Sequence, residues 1–313
     1  MKILVFGLGA LGTVYSCLLK EQGHYVVGVD RDEVVRTVAE HGVQVSGIWG
    51  THAQSLDNLV SSLEDLDERD FDLVILTVKS YDTADVASQI AGFISPAAYT
   101  LLAQNGYGNF EAASQHIDPA RLIVGRVIFG AETLGAGESR VTVIADDVII
   151  GSPGNLIDTG VLERISQTCD EAGIPTRTSS EVMKYVWGKI IYNSALNPLG
   201  AILEVPYGRL ADDPHARQLM DDIIDEIFAV LHACGQDTLW AEAATYKQVF
   251  YGQLIPTTAL HHASMLQDIQ RGRKTEIDAL NGAVVRLGRQ CGIATPVNEV
   301  VAALIRAKES MRG

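Results

Sequence analysis

In the apolar stretch WGKIIYNSALNPLG (Trp187–Gly200), Lys189, Asn193 and Asn197 recur at four-residue intervals. On an α-helix such positions are successive neighbours on one face, spanning about 12 Å of axis. Ile190, Ile191, Ala195 and Leu196 between them are apolar, so this helix is expected to be buried on several sides. A polar group inside it needs a hydrogen-bond partner, because an unmet one costs about 1–3 kcal/mol. Lys189 could extend to solvent, the asparagines could cap neighbouring backbone, or the line could face a bound small molecule. In the last case the ammonium would stabilise negative charge developing on an oxygen and donate a proton, while the amides hold the reacting molecule in register. Pro198, directly after Asn197, is expected to bend or end the helix.

A second group of residues sits at the start of the chain. Gly7-Leu8-Gly9-Ala10-Leu11-Gly12 follows a strand-like run and opens a helical pattern. In that setting Gly7 permits a tight turn, Gly9 lets backbone approach a pyrophosphate, and Gly12 lets the helix pack closely on the strand. The helix N-terminus offers N–H groups and partial positive charge to phosphates. This context points to dinucleotide binding rather than to incidental glycines. The next strand ends in Val29-Asp30-Arg31. Asp30 could accept the ribose hydroxyls of NAD(H), and Arg31 could pair with the 2′-phosphate of NADP(H), so the residues alone leave the choice open. Lys79, ending a buried strand, stands at a βα turn of the kind where ligands bind. Arg271, Arg273 and Lys274 read as a solvated face.

The 313-residue chain has a formal net charge of −15, 47% hydrophobic residues and 20% charged ones. That length suits two domains with ample core. The negative field disfavours nucleic acid and anionic membranes as partners, and no run of about 18 apolar residues suggests a span. The opening MKILVFGLG is too short and strand-like for a signal peptide, so a cytoplasmic protein is expected. Cys17, Cys169, Cys234 and Cys291 lack metal-ligand spacing and are expected to be structural, reduced thiols.

Strand-like KILVFG, YVVGVD, DLVILTV and AYTLLAQN alternate with helical patterns at Leu11–Gln22 and Thr83–Phe93, which argues for a parallel sheet with helices on its faces. SRVTVIA and DVIIGSPG, joined at Asp146–Asp147, are expected to extend that sheet as an antiparallel pair. A helix over Asp158–Ala172 and a strand near IPTRT would close the domain. Thr178-Ser179-Ser180-Glu181 reads as a capping box announcing the helix of the polar line. The remainder is helical, with Met220, Ile224, Phe228 and Leu231 on one stripe and further helices around 240–251, 259–271, 275–291 and 297–311. Gly235 and Gly292 suit helix ends. The fold class expected is α/β, a Rossmann-type doubly wound sheet over residues 1–179 followed by an all-helical domain over 180–313.

GLGALG, TVK (Thr77–Lys79), AQNG (Ala103–Gly106), WGKIIYNSALNPLGA and SMLQDIQRGRKTEIDALNG (Ser264–Gly282) occur in this order. Together they closely resemble the ketopantoate reductases (2-dehydropantoate 2-reductases), over nearly the whole chain. The resemblance implies NADPH-dependent reduction of 2-dehydropantoate to (R)-pantoate, a step toward coenzyme A, with the active site in a cleft between the two domains. It implies Lys189 as the catalytic lysine, Glu276 as a carboxylate beside substrate and cofactor, and Asn193, Asn197 and Ser264 as substrate contacts. It further implies Asn105 near nicotinamide and substrate, with Lys79 and Ala131 touching the cofactor. Glu276 read alone could equally be an acid favouring a helix dipole after Thr275.

Two positions depart from the family's pattern. Tyr207 stands before Gly208 where an asparagine is usual, and His261 stands three residues before Ser264 where an asparagine can occur. Both would alter the polar pocket and so the 2-keto acid accepted. An NADH-dependent D-2-hydroxyacid dehydrogenase for another branched 2-keto acid is therefore the alternative, and Asp30 would suit it. A nucleotide sensor without chemistry fits poorly, since it has no need of an alkoxide-stabilising lysine. The apolar C-terminal helices could pack internally or form a homodimer.

Overall fold

Continuous apolar runs make the first strands, because a parallel strand covered on both faces has no polar side to show. Ile3, Leu4, Leu73, Val74 and Ile75 are all fully buried. The computed structural model describes residues 1–311. It divides the chain into two compact units, one of Met1–Gln104 and Asn109–Val182, the other of Asn105–Gly108 together with the chain from Met183 onward.

The first unit contains β1 (Lys2–Phe6), β2 (Tyr25–Val29), β3 (Val43–Gly47), β4 (His52–Gln54), β5 (Asn58–Val60), β6 (Leu73–Leu76), β7 (Tyr99–Leu102), β8 (Leu122–Arg126), β9 (Phe129–Gly135), β10 (Glu138–Ile144), β11 (Val148–Gly151) and β12 (Thr176–Thr178). Its helices are α1 (Ala10–Glu21), α2 (Asp32–His41), α3 (Thr83–Phe93), α4 (Asn109–Ala113) and α5 (Thr159–Glu171). The main sheet runs β12-β11-β8-β7-β6-β1-β2-β5, parallel except where β11 meets β8. The chain moves from β1 outward through β2 to β5, then returns to β6 on the other side of β1. The order therefore reverses between β1 and β6, the place where open α/β sheets bind ligands beyond their carboxyl ends.

A second sheet, β4-β3-β10-β9, corrects one expectation. SRVTVIA does not pair with DVIIGSPG; β10 pairs antiparallel with β9 and parallel with β3, while β11 alone lies antiparallel on β8. Gly137, at φ +72°, turns the chain one strand earlier than Asp146–Asp147. The capping box is also not formed. Thr178 belongs to β12, and Ser179 Oγ accepts from the Glu181 N–H at 3.0 Å.

The second unit contains α6 (Val182–Leu203), α7 (Tyr207–Asp212), α8 (Pro214–Ala233), α9 (Ala243–Val249), α10 (Ile255–Thr257), α11 (Ser264–Gln270), α12 (Asn281–Cys291) and α13 (Pro296–Ser310), with a π-helical turn at Phe250–Leu254 and a 3-10 turn at Ile277–Ala279. The α8 stripe of Met220, Ile224, Phe228 and Leu231 is buried. The helix expected over 259–271 starts only at Ser264, because the preceding loop serves another end. The carbonyls of His261 and Ala259 accept from the N–H groups of Tyr207 and Gly208, donors that the first turn of α7 cannot satisfy itself. No helix among the described residues is long and apolar enough to cross a membrane.

Pro198 neither ends nor breaks α6. A proline removes the N–H that would bond the carbonyl four residues back, here that of Ser194. Asn281 Nδ2 donates to that carbonyl at 3.1 Å and to Asn298 Oδ1 at 3.0 Å. Asn298 Nδ2 in turn donates to Glu226 Oε2 at 2.7 Å, and Glu226 accepts from the Val297 and Asn298 N–H groups at the start of α13. At the far end of α6, Lys308 Nζ donates to the carbonyls of Ala201 and Ile202 at 2.7 and 3.3 Å. A cation there also complements the helix dipole.

The cysteines need a correction as well. Cys17 and Cys169 are free and buried, and burial pushes both thiols up to about 12. Cys234 and Cys291, however, form a disulfide, with Cα atoms 5.7 Å apart at the ends of α8 and α12. A separation of 57 residues carries no local motif, so only the packing of the two helices reveals the pair.

Replacing Asn281 by leucine keeps the branched side-chain shape but leaves the Ser194 carbonyl and the Asn298 amide short of a partner. The unfolding free energy in urea should fall by about 2–4 kcal/mol. A midpoint and slope equal to those of the parent would contradict the bridging role.

Candidate active site

The polar line on α6 meets a set of groups brought by two other segments of the second unit. Lys189 Nζ donates to Asn105 Oδ1 at 2.6 Å, and Asn105 Nδ2 donates to Glu276 Oε2 at 3.3 Å. One amide thus offers its oxygen to the ammonium and its nitrogen to the carboxylate. The loop carrying Asn105 is tightly held. Gly106 has φ +89°, and a Cβ there would lie 2.5 Å from the Ala279 carbonyl oxygen, so only glycine fits. Tyr107 N–H donates to Ala279 O at 2.8 Å, and the Tyr107 ring stacks on Trp187 at 4.9 Å. Those contacts tie the loop both to the turn following Glu276 and to the helix bearing Lys189.

Asn105, Asn193, Asn197, Ser264, Met265, Asp268, Glu276 and Leu280 line an open concavity. The structure therefore brings together Asn105, Asn193, Asn197, Ser264 and Glu276, with Lys189 reaching the wall through Asn105. Asn197 is buried, and its Oδ1 accepts from Tyr207 Oη at 2.5 Å. Glu276 flanks the 3-10 turn without capping it; Thr275 Oγ1 accepts from the Ile277 N–H at 3.2 Å instead. Asp268 was not singled out from sequence. It is buried, and its Oδ1 lies 3.0 Å from Arg273 Nη2, so Arg273 is more than a solvated charge. The four-residue step from Ser264 to Asp268 along α11 was the available signal, since it places both on one helix face.

In the first unit the glycine turn links β1 to α1 at the reversal of strand order. Gly7 has φ +98°, and a Cβ on Gly12 would fall 1.7 Å from the Gly7 carbonyl oxygen. A Cβ on Gly9 would meet no protein atom within 4 Å. Gly7 and Gly12 are thus required by the fold, whereas the space over Gly9 is open, as approach by a pyrophosphate requires. Gly9 is also the N-cap of α1 and brings no side chain to the helix's first N–H groups. These features fit a dinucleotide. Leu8, Ala10 and Leu11 complete the turn, and the Leu8 N–H donates to Asp30 Oδ2 at 2.6 Å. Asp30 Oδ1 accepts from the Arg31 N–H at 2.7 Å, while the Arg31 side chain is 80% exposed. Thr77 Oγ1 donates to the Gly7 carbonyl at 2.5 Å, which sets the loop ending at Lys79 against the turn. Ala131 lies on β9, paired with Val141 and half-buried against the core, and β9 packs on α1.

Family models match the chain over most of both units. The model of ketopantoate reductase PanE/ApbA matches residues 3–155, and that of its C-terminal domain matches residues 181–309. A 2-dehydropantoate 2-reductase of Aquifex aeolicus is 44% identical over 311 residues, covering 99% of this chain and 97% of that protein. The chain belongs to the ketopantoate reductase family. Among solved structures of that family, the 2-dehydropantoate 2-reductase of Geobacter metallireducens GS-15 is 26% identical with a TM-score of 0.88, covering 98% of this chain and 99% of that one. A complex of D-mandelate dehydrogenase with NADH is 25% identical with a TM-score of 0.87, covering the whole of both chains. The match to ketopantoate reductases thus spans both the glycine turn and the Lys189–Asn105–Glu276 chain.

The two glycines separate folding from ligand binding. Gly9→Ala should unfold at the parent's temperature yet bind the reduced nicotinamide dinucleotides, NADH and NADPH alike, at least about tenfold more weakly, measured by fluorescence titration. Gly12→Ala should lose both stability and binding. Unchanged affinity for both nucleotides in Gly9→Ala would rule out the pyrophosphate site.

Proposed function

We propose that this chain is a 2-dehydropantoate 2-reductase that uses NADPH to reduce ketopantoate to (R)-pantoate, in the cytoplasmic synthesis of pantothenate and coenzyme A. The observation that carries this reading is the Lys189–Asn105–Glu276 chain beside the amides of Asn193 and Asn197 and the hydroxyl of Ser264. In this reading the first unit is the nucleotide-binding domain and the second the substrate domain.

A dihydronicotinamide, when bound, would supply the hydride. As the ketone carbon accepts it, negative charge gathers on the carbonyl oxygen, where the Lys189 ammonium stabilises it and donates the proton. Asn105 holds the ammonium through its oxygen, so the lysine is oriented before the substrate arrives. Glu276 anchors Asn105 and can accept from a substrate hydroxyl. Asn193, Asn197 and Ser264 offer neutral hydrogen-bonding groups that fix the acid in register. Around the glycine turn, Gly7–Gly12 would receive the pyrophosphate, with Arg31, Lys79 and Ala131 as further cofactor contacts.

Asp30 bears on the choice of nucleotide. Both its oxygens already accept backbone N–H groups, from Leu8 and Arg31, whereas the Arg31 side chain is 80% exposed, its guanidinium 3.7 Å from the carboxylates of Asp30 and Glu33. That arrangement favours pairing of Arg31 with a 2′-phosphate and so favours NADPH. The second reading, an NADH-dependent D-2-hydroxyacid dehydrogenase, draws support from the likeness to the NADH complex of D-mandelate dehydrogenase and from Tyr207 beside Asn197.

Lys189→Ala should lower kcat for ketopantoate by at least about a thousandfold while NADPH binding persists. Turnover equal to the parent's would sink the mechanism. Arg31→Ala should raise KM for NADPH by about tenfold and leave KM for NADH unchanged. Measured as kcat/KM over a panel of 2-keto acids with both nucleotides, a preference for NADH and another acid would establish the second reading.

A further inference from the structure

Tyr207 is the first residue of α7, and its ring is buried from several directions. Tyr192 meets it edge-on at 6.1 Å, and the His261 ring lies 5.4 Å away. A Cβ on Gly200 would stand 3.4 Å from Tyr207 Cε1, so the ring packs close against α6 at that position. The Tyr207 N–H is bonded to His261 O at 3.1 Å. Ring and backbone are therefore both fixed, and the hydroxyl has one place to go. It donates to Asn197 Oδ1 at 2.5 Å. Burial, with Tyr192 adding to it, pushes the Tyr207 phenol well above its ordinary value, so the hydroxyl stays a donor.

A primary amide carries one acceptor oxygen and two N–H donors. With the oxygen of Asn197 bound by Tyr207, the NH2 carries the donors left for the concavity that Asn197 lines. We infer that Tyr207 is a positioning residue for substrate, holding the Asn197 amide so that N–H donors, not its oxygen, meet an acceptor oxygen of the 2-oxo acid. Without the hydroxyl the amide is free to turn over and present its carbonyl to that oxygen, two acceptors face to face. The penalty falls on binding of the acid rather than on hydride transfer. This inference rests on the function proposed above.

Tyr207→Phe removes the hydroxyl and keeps the ring. Steady-state kinetics with ketopantoate and NADPH should show KM for the acid raised about tenfold, kcat within about threefold of the parent and KM for NADPH unchanged. In an Asn197→Ala background the same change should add nothing, because the amide it orients is gone. Asn197→Asp, which keeps an acceptor for Tyr207 and removes the NH2, should raise KM for the acid at least as much as Tyr207→Phe. A KM within about twofold of the parent in Tyr207→Phe overturns the positioning role, and so does an equal rise in the Asn197→Ala background, which would mark a packing effect. A parent protein that reduces no 2-oxo acid overturns the proposed function and this inference with it.

Discussion

The carbonyl of Ser194, stripped of its helical donor by Pro198, is the point on which the second unit turns. Asn281 supplies the missing N–H from another helix, Asn298 holds Asn281, and Glu226 holds Asn298 while capping the start of α13. One irregularity in α6 thereby fastens α8, α12 and α13 to it by buried and half-buried hydrogen bonds. Asn281 Oδ1 is its one buried side-chain atom without a partner among the described residues, so the network carries a desolvation cost alongside the bonds it makes. Its effect on the site is direct. Because α6 remains helical through Pro198, Asn197 stays on the face that carries Lys189 and Asn193.

The site joins residues far apart in the chain. Lys189 and Asn105 are separated by 84 residues, and Asn105 and Glu276 by 171. Each is delivered by a different device. Lys189 rides a long helix, Asn105 sits in a loop that only a glycine at 106 allows to approach Ala279, and Glu276 precedes a 3-10 turn. Charged groups positioned in this way need little rearrangement when charge appears on a substrate, which is the main source of electrostatic catalysis.

Features governed by near neighbours were legible in the sequence. The strand–glycine–helix opening, the Met220 stripe and the common face of Lys189, Asn193 and Asn197 follow from spacing alone. Outcomes decided by distant partners were not. Pro198 reads as a helix end until Asn281 is seen beneath it. The hairpin at Gly137, with β3 alongside β10, displaces the one expected at Asp146–Asp147. The bond between Cys234 and Cys291 depends on two helix ends converging, and the loop at 259–263 stays open because its carbonyls serve α7. Tyr207 was visible as an oddity, but its grip on Asn197 belongs to the tertiary structure.

The carboxylate of Asp30 accepts the N–H of Leu8, inside the glycine turn itself. A residue at the end of the second strand, where nucleotide choice is usually decided, here also braces the loop that would carry the phosphates. Substitutions at Asp30 aimed at one property would disturb the other. The Arg31 side chain, largely exposed beside Asp30 and Glu33, can by contrast change without removing that brace.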